Sequence, residues 1–389
     1  MKVKKLLLLG LDGGTMSMVK RLGVFKYLPY QKEVMTTIPP LTFPAVPTMY
    51  TGKNPAELGF SEWIKPNGEP VSFSDITEPT IWDVLACSGV RCSVLNVPLT
   101  FPVRPIRNGR IAAGYPSPRV NTWPEMNWEL DFVTPDHGKR PSDEYAFQQE
   151  IRISKQRLAY VDSSFEFNFV WIKGPDTLGH TAWGTRVYDE YYRFLDEEIE
   201  KKVNSGEFDE TIIVSDHGYA AKPTHEFHIN TWLEEKGWVK TSFKIKLAHK
   251  LASKFPVLKR LAVKQKIQPK SVYSESEVYS DRETGIWCPP DQVDEIVGEL
   301  KKEKFVKAAW RREEVYHGKF IERFPPVVFV VKEDYVTQLH FADEVITPHK
   351  SAFRGDHHSS FEAIFLSQKP YEIENTEQLK DLVVGWFKE

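Results

Sequence analysis

The stretch Phe-Asn-Phe-Val-Trp-Ile-Lys-Gly-Pro-Asp-Thr-Leu-Gly-His at 167–180 decides the fold class. Its first six residues predict a buried strand, and an acid and a histidine, Asp176 and His180, follow soon after. The chain repeats this order once, because the strand-like Thr-Ile-Ile-Val-Ser at 211–215 precedes Asp-His-Gly at 216–218. Strand ends that carry such side chains are where an open α/β sheet builds its active site.

Strand and helix patterns alternate on either side of these two stretches. Further strands are predicted at 6–11, 92–97 and 361–366, and helices at 80–87, 145–162, 186–203, 230–236 and 376–387. Strands that alternate with helices predict an α/β fold with a mostly parallel central sheet and helices on both faces.

Two segments interrupt the alternation. Residues 99–144 are rich in proline, arginine, asparagine and tryptophan and predict surface loops, whereas 241–345 carry elements of their own. A chain of 389 residues exceeds the size of one hydrophobic core. We therefore expect a core of 1–240 and 346–389 with an inserted cap lobe at 241–345.

Composition argues against some classes of protein and favours one cellular compartment. The net charge of −3, from 51 basic and 54 acidic residues, argues against bulk nucleic-acid binding. Three cysteines form no disulfide framework, which favours a reducing compartment. The apolar start at 6–9 is too short for a signal peptide, and no stretch approaches the ~20 apolar residues of a membrane span. We expect a cytoplasmic protein without a transmembrane segment.

The two acid–histidine clusters predict metal binding. Carboxylate with imidazole is the ligand set that Zn²⁺, Mn²⁺ or Fe²⁺ prefers over Mg²⁺ or Ca²⁺. An accidental pair on a helical turn would explain Asp176 and His180 equally well, but Gly174, Pro175 and Gly179 favour a loop. Two clusters on nearby strands suggest two metals, a device used chiefly for phosphoryl chemistry.

Two further residues fit such a site. Asp12 ends the first strand before two glycines, which suits a metal or phosphate site, although Asp-Gly is also a common turn. Thr42 lies in the proline-rich segment 39–48, where it predicts a helix N-cap. The same position would serve a nucleophile, because a helix N-terminus favours phosphate.

The histidines of the second half leave alternatives open. A last metal ligand is expected from His349, His357 or His358. His225 and His228 form a tempting pair, but they follow Asp-His-Gly too closely, and a role at the start of a helix is favoured.

A basic segment at 240–270 holds ten basic residues and no acid, with leucines at near-helical spacing. It predicts contact with an anionic substrate or a membrane surface. A solvated helix face that packs through its leucines explains the same pattern.

These motifs resemble the alkaline phosphatase superfamily, in its type I phosphodiesterase/nucleotide pyrophosphatase branch. The resemblance rests on Leu-Gly-Leu-Asp-Gly at 9–13, Thr-Phe-Pro at 42–44, Thr-Gly-Lys-Asn-Pro at 51–55, Leu-Asn-Val-Pro at 95–98, Pro-Asp to Gly-His at 175–180, Ser-Asp-His-Gly at 215–218 and Gly-Asp-His at 355–357.

The resemblance implies an alkaline phosphatase-like core and two divalent metal ions, usually Zn²⁺, with Mn²⁺ in mutase relatives. It implies three ligands for each ion: Asp12, Asp216 and His217 for one, and Asp176, His180 and His357 for the other. Thr42 would bridge the ions and attack phosphorus, which gives a phospho-threonine intermediate. The implied substrate is a phosphorylated small molecule or a nucleotide-like ester. The adjacent His358 is the alternative last ligand.

Departures from the family pattern keep other functions open. Nucleotide pyrophosphatases place an asparagine where this chain has Trp63, which weakens the nucleotide-diesterase interpretation. The pattern argues against a sulfatase, because Thr-Phe-Pro-Ala-Val at 42–46 lacks the Cys or Ser and the arginine that sulfatases need. A phosphomutase of the same superfamily is one alternative. A non-catalytic module that binds anionic lipid or glycan headgroups through 240–270 is the other.

Overall fold

The computed structural model describes residues 3–65, 68–126, 128, 143–239, 277–351, 353–356 and 361–388. The strands are β1 Leu6–Leu11, β2 Tyr30–Met35, β3 Cys92–Leu95, β4 Arg110–Ala112, β5 Thr122–Trp123, β6 Phe167–Ile172, β7 Glu210–Val214, β8 Ala220–Ala221, β9 His225–His228, β10 Tyr279–Arg282, β11 Gly285–Trp287, β12 Val306–Arg311, β13 Val327–Val331, β14 Tyr335–Gln338, β15 Ile346–Pro348, β16 Gly355–Asp356 and β17 Glu362–Ser367. The α-helices are α1 Met16–Leu22, α2 Thr42–Thr51, α3 Pro55–Leu58, α4 Ile81–Cys87, α5 Asp143–Ala159, α6 Gly174–Ala182, α7 Arg186–Asn204, α8 Ile229–Glu235, α9 Val293–Lys302 and α10 Leu379–Lys388.

The chain divides into two compact units. The first comprises 1–221 with 353–389, and the second comprises 222–352. The lobe predicted from sequence, 241–345, falls inside the second unit, and its function as a cap stays a prediction. The basic segment at 240–270 lies outside the described residues.

The first unit is built on an eight-stranded sheet in the order β2-β17-β7-β1-β6-β3-β4-β5. Five neighbouring strands, β7 to β4 in that order, are parallel, while β17, β2 and β5 pair antiparallel at the edges. The predicted mostly parallel sheet is therefore confirmed. Strands β4 and β5 lie in a segment expected to be loops, because two or three residues are too few to show a strand period.

Helices cover both faces of this sheet, as predicted. Side chains alternate along β1: Leu6 and Leu8 pack with α4 and α10 on one face, whereas Leu7 and Leu9 pack with α5 and α7 on the other. All are fully buried. Each buried leucine stabilises the fold by about 1.5–3 kcal/mol, so a strand buried on both faces needs a continuous apolar run.

The register of the three central strands brings their carboxyl ends to one edge. Leu11 of β1 lies beside Ile172 of β6, and Gly10 lies beside Val214 of β7. Residues that follow these strands must therefore meet there.

The second unit has its own core. It contains a four-stranded sheet in the order β10-β11-β13-β12 and a three-stranded sheet in the order β14-β9-β15. Phe227, Ile296 and Phe329 lie in one buried cluster with the apolar faces of α8 and α9. Among the described residues of the whole chain, no helix is both long and apolar enough to cross a membrane.

Candidate active site

Asp12 follows β1 directly and is fully buried. Its backbone N–H donates to Ile172 O at 3.0 Å, and its Oδ2 accepts the indole N–H of Trp171 at 3.0 Å. Gly13 has a left-handed φ of +65°, and a Cβ there would lie 2.9 Å from the Tyr219 ring. Both facts require glycine after the aspartate.

Asp176 and His180 lie on helix α6, which corrects the loop expected for this segment. Pro175 is tolerated because it occupies the first turn, where its missing N–H has no intrahelical partner. The helical spacing places both side chains on one face, with His180 Nε2 at 3.4 Å from Asp176 Oδ1. The Lys173 ammonium lies 2.7 Å from the other carboxylate oxygen, Oδ2.

Asp216 and His217 follow β7, separated from its last residue by Ser215, and both are fully buried. Asp216 Oδ1 accepts the backbone N–H of Gly13 at 3.1 Å, which ties the end of β7 to the end of β1. The hydroxyl of Thr36 donates to the Asp216 carbonyl.

The His217 ring presents a lone pair to two carboxylates. Its Nδ1 lies 2.9 Å from the carbonyl of Gly218, and because a carbonyl only accepts, Nδ1 carries the hydrogen. Nε2 lies 3.3 Å from Asp216 Oδ2 and 3.7 Å from Asp12 Oδ1. Burial lowers the pKa of His217, so the ring is neutral. Two carboxylate oxygens and a ring nitrogen that face one another are a suitable ligand set for a metal ion.

The charges of the cluster support the same conclusion. Burial, and then the proximity of Asp216, raises the pKa of Asp12 to about 7. Burial likewise raises the pKa of Asp216 to about 7. Asp12 Oδ1 is buried with no hydrogen-bond partner among the described residues. One ligand atom each from Asp12, Asp176 and His217 lies within 4.8 Å of the others. The donor set fits a divalent metal ion.

Thr42 lies beside this cluster. It is the first residue of α2, and Leu41 occupies the N-cap position that the sequence predicted for Thr42. Thr42 itself has entered the helix, and its hydroxyl lies 3.5 Å from His217 Nε2. Thr42 is half-buried, at the positive end of the helix.

The proposed last ligand, His357, and its neighbour His358 lie outside the described residues. His349 belongs to the second unit, where its Nδ1 lies 2.9 Å from Glu226 Oε1. His228 directly precedes α8, but its side chain makes no capping bond.

Sequence reasoning missed Trp171, Lys173 and Tyr219. Lys173 follows the end of β6 directly, so the rule that located the acids could have indicated it. Trp171 reads as an ordinary core residue of an apolar strand, and only the structure shows its indole N–H on Asp12. Tyr219 follows Asp-His-Gly and packs its ring within 5.5 Å of the His180 ring centroid.

An aromatic group adjoins Thr42. The ring centroid of Phe43 lies 6.0 Å from that of Trp63 and 5.9 Å from that of Tyr115. Trp63 is 51% exposed and Tyr115 36% exposed. The Lys173 ammonium lies 5.1 Å from the Tyr115 ring centroid, which connects this aromatic group to the acid cluster.

Solved structures share this fold. The phosphonoacetate hydrolase from Sinorhizobium meliloti 1021, in complex with phosphonoacetate, has 14% sequence identity and a TM-score of 0.63, over 99% of this chain and 96% of that chain. Human ectonucleotide pyrophosphatase / phosphodiesterase 5 has 13% identity and a TM-score of 0.57, over 99% and 95%. An inactive murine form of the latter, in complex with AMP, has 14% identity and a TM-score of 0.53, over 99% and 95%. At these identities the likeness shows a shared fold.

No curated protein sequence matches the chain significantly. The family model "Type I phosphodiesterase / nucleotide pyrophosphatase" matches residues 6–360, which is most of the chain and includes both clusters and Thr42. This match confirms the sequence-based prediction of a metal-dependent hydrolase of phosphoric esters. The chain therefore belongs to the type I phosphodiesterase / nucleotide pyrophosphatase family.

Proposed function

We propose that the chain transfers a phosphoryl group first to Thr42 and then to water, at a site with two divalent metal ions. The distance of 3.5 Å between Thr42 Oγ1 and His217 Nε2 carries this proposal. That ring nitrogen faces the carboxylates of Asp12 and Asp216, so the hydroxyl lies beside a buried cluster of metal-ligand atoms.

The residues divide into two ligand sets under this proposal. Asp12, Asp216 and His217 would hold one ion, and Asp176, His180 and a third ligand expected at His357 would hold the other. When bound, the two ions lower the pKa of the Thr42 hydroxyl and neutralise charge on the phosphoryl oxygens. Imidazole with carboxylate favours Zn²⁺, with Mn²⁺ as the alternative.

Thr42 carries the covalent steps. Its Oγ forms a bond to phosphorus as the ester oxygen departs with the bonding pair, and the hydroxyl proton passes to solvent. The N-terminus of α2 favours the negative phosphoryl group at that place. Water then attacks phosphorus and breaks the bond to Oγ. Two in-line displacements predict net retention of configuration at phosphorus.

Substitution of Thr42 tests the nucleophile. In the zinc-reconstituted full chain, Thr42→Ala should lower kcat for p-nitrophenyl phosphodiesters by about 10³-fold or more, because the covalent step is lost. Thr42→Ser keeps a hydroxyl and is the matched control, expected to retain far more activity. Metal content, measured by elemental analysis, should be unchanged in both variants. Full activity in Thr42→Ala would exclude the nucleophile, and higher activity with Mg²⁺ than with Zn²⁺ would exclude the metal assignment.

For the substrate we propose a phosphodiester with a planar ring, such as a nucleotide ester. The group of Phe43, Trp63 and Tyr115 supports this, since the exposed Trp63 lies against Phe43, the residue after the nucleophile, and offers a stacking surface. Trp63 stands where nucleotide pyrophosphatases have asparagine, so the substrate contacts here differ from the family pattern.

Trp63→Ala tests the substrate class. Loss of one stacked base costs about 1–3 kcal/mol, so KM for the p-nitrophenyl ester of thymidine monophosphate should rise by about fivefold or more. KM for methyl p-nitrophenyl phosphate, which has the same leaving group without the base, should change little. Trp123→Ala removes another exposed tryptophan, of edge strand β5, and is the control. Equal effects of Trp63→Ala on the two esters would contradict base stacking.

A further inference from the structure

A second group of metal-ligand side chains lies in the second unit, on its three-stranded sheet. Glu226 and His228 are two residues apart on the central strand β9, so their side chains point to the same face. Phe227 between them points into the apolar core. His340 follows β14, the neighbouring strand. One ligand atom each from Glu226, His228 and His340 lies within 4.8 Å of the others.

Hydrogen bonds orient the His228 ring toward the carboxylate. His228 is buried, and its Nδ1 lies 3.3 Å from the carbonyl of His340. Because a carbonyl only accepts, Nδ1 carries the hydrogen and Nε2 has the lone pair. Nε2 lies 3.5 Å from Glu226 Oε2 and accepts the hydroxyl of Thr347 at 2.8 Å. Histidines that bind metals are usually fixed in this way through their second nitrogen.

A second histidine orients the carboxylate. His349 Nδ1 lies 2.9 Å from Glu226 Oε1, which leaves Oε2 directed at His228. Thr347 lies opposite Glu226 in the register of β15 and β9, with its hydroxyl 3.4 Å from Oε2. The Glu226 carboxylate is therefore held by two residues that are not themselves ligands, His349 and Thr347.

We propose that Glu226, His228 and His340 bind one divalent transition-metal ion, with Zn²⁺ as the preferred ion. Two ligand atoms on a tetrahedral zinc lie about 3.3–3.6 Å apart, because each bond is about 2.0–2.2 Å long. The 3.5 Å between Glu226 Oε2 and His228 Nε2 already meets this spacing. The third ligand atom, from His340, lies within 4.8 Å of the other two. The ion would replace the Thr347 hydroxyl at Nε2.

This ion would stabilise the second unit rather than take part in the phosphoryl transfer. Its three ligands come from β9 and from the segment after β14, so the ion cross-links two parts of the chain that are more than a hundred residues apart. The ligand set shares no residue with that of the first unit, and the proposal does not depend on the proposed function.

Zinc binding to the full chain tests the site directly. The full chain is stripped with chelator and titrated with Zn²⁺, and bound metal is counted by equilibrium dialysis and elemental analysis. Glu226→Gln and His340→Asn should each bind one equivalent fewer than the wild type. His349→Gln keeps all three ligands and should weaken that equivalent by about 10- to 100-fold.

His225→Gln is the matched control. His225 is the neighbouring histidine on β9, but it is exposed, its ring stacks on Tyr335 and its Nδ1 lies 2.8 Å from the Thr224 hydroxyl. The His225→Gln variant should bind the same number of zinc equivalents as the wild type. Unchanged stoichiometry in folded Glu226→Gln and His340→Asn would overturn the proposal, and so would an equal loss in His225→Gln.

The same titration in a chain with Asp12→Asn and Asp176→Asn separates this site from the first unit. This double variant should still bind one equivalent of zinc, in the second unit, and should lose it when His340→Asn is added. If the first unit binds no metal, the proposed function fails, but chains with and without His340→Asn should still differ by one equivalent. If no equivalent remains in the double variant, the site in the second unit does not exist.

Discussion

Neighbouring side chains orient the carboxylate of Asp12. The indole of Trp171 donates to Oδ2, which leaves Oδ1 directed at His217. The indole ring fits there only because Gly10 has no side chain, since a Cβ at that position would lie 1.9 Å from the ring. A residue of the apolar core thus fixes the rotamer of a charged one.

Trp171→Phe should weaken metal binding without unfolding the chain. The substitution removes the N–H donor while it keeps most of the apolar volume. Loss of a hydrogen bond to a metal-binding carboxylate costs about 10-fold or more in metal affinity. Zinc titration with kcat measured at saturating metal checks this. Trp82→Phe, on α4 in the same buried cluster, controls for the lost volume. If both variants bind zinc alike, Trp171 only packs.

Helix α6 is the element that places two of the candidate ligands. One helical turn separates Asp176 from His180, so their side chains reach the same side, which a loop would not ensure. Gly179 on α6 lies against Tyr219, and a Cβ there would meet its ring at 2.7 Å. The helix is held close to the end of β7 by this contact, and its glycine is needed for packing.

Substitution of two helical glycines by alanine separates packing from helix propensity. Alanine favours a helix interior by about 1 kcal/mol over glycine. At Gly385 of α10 nothing lies within 4 Å of the added Cβ, so Gly385→Ala should stabilise the chain by up to that amount. Gly179→Ala should instead destabilise it by about 1–3 kcal/mol, because the ring of Tyr219 must move. Urea unfolding measures both, and a stabilised Gly179→Ala would show that the contact is loose.

At the scale of the whole molecule, buried acids make stability depend on pH. Glu150 lies on α5, which packs on the sheet, and only 4% of the residue is exposed. Burial raises the pKa of Glu150 from 4.5 to about 7. The native state therefore holds a proton between pH 4.5 and 7 that the unfolded chain has released. It follows that the free energy of unfolding falls as the pH rises through this window.

Glu150→Gln should remove this part of the pH dependence. The free energy of unfolding of the variant minus that of the wild type should change by up to about 3 kcal/mol between pH 4.5 and 7. Below and above this window the difference should stay nearly constant. Urea unfolding at a series of pH values measures it. Glu144→Gln, exposed on the same helix, should differ from the wild type by less than about 0.5 kcal/mol throughout. A constant difference for Glu150→Gln across the window would contradict a buried proton.

Much of the core and the location of the candidate site could be predicted from the sequence. The apolar runs of β1 and β6 were predicted with their observed bounds, because a strand buried on both faces is apolar along most of its length. Edge strands such as β2 were missed, since Tyr30–Met35 has one buried residue and pairs with β17, which is distant in sequence. The segment after β6 was predicted to be a loop because it contains two glycines and a proline. It forms helix α6 instead.

The sequence by itself determined the layered α/β architecture and the acid–histidine pairs at strand ends, since both follow from local apolar periodicity. Only the tertiary structure decided which side chains meet. The parallel register of β1, β6 and β7 brings Asp12, Asp176 and His217 together although they are far apart along the chain. The same register brings Trp171 to Asp12, whereas the parallel pairing of β14 with β9 brings His340 to His228. No local pattern encodes contacts that depend on how distant strands pair.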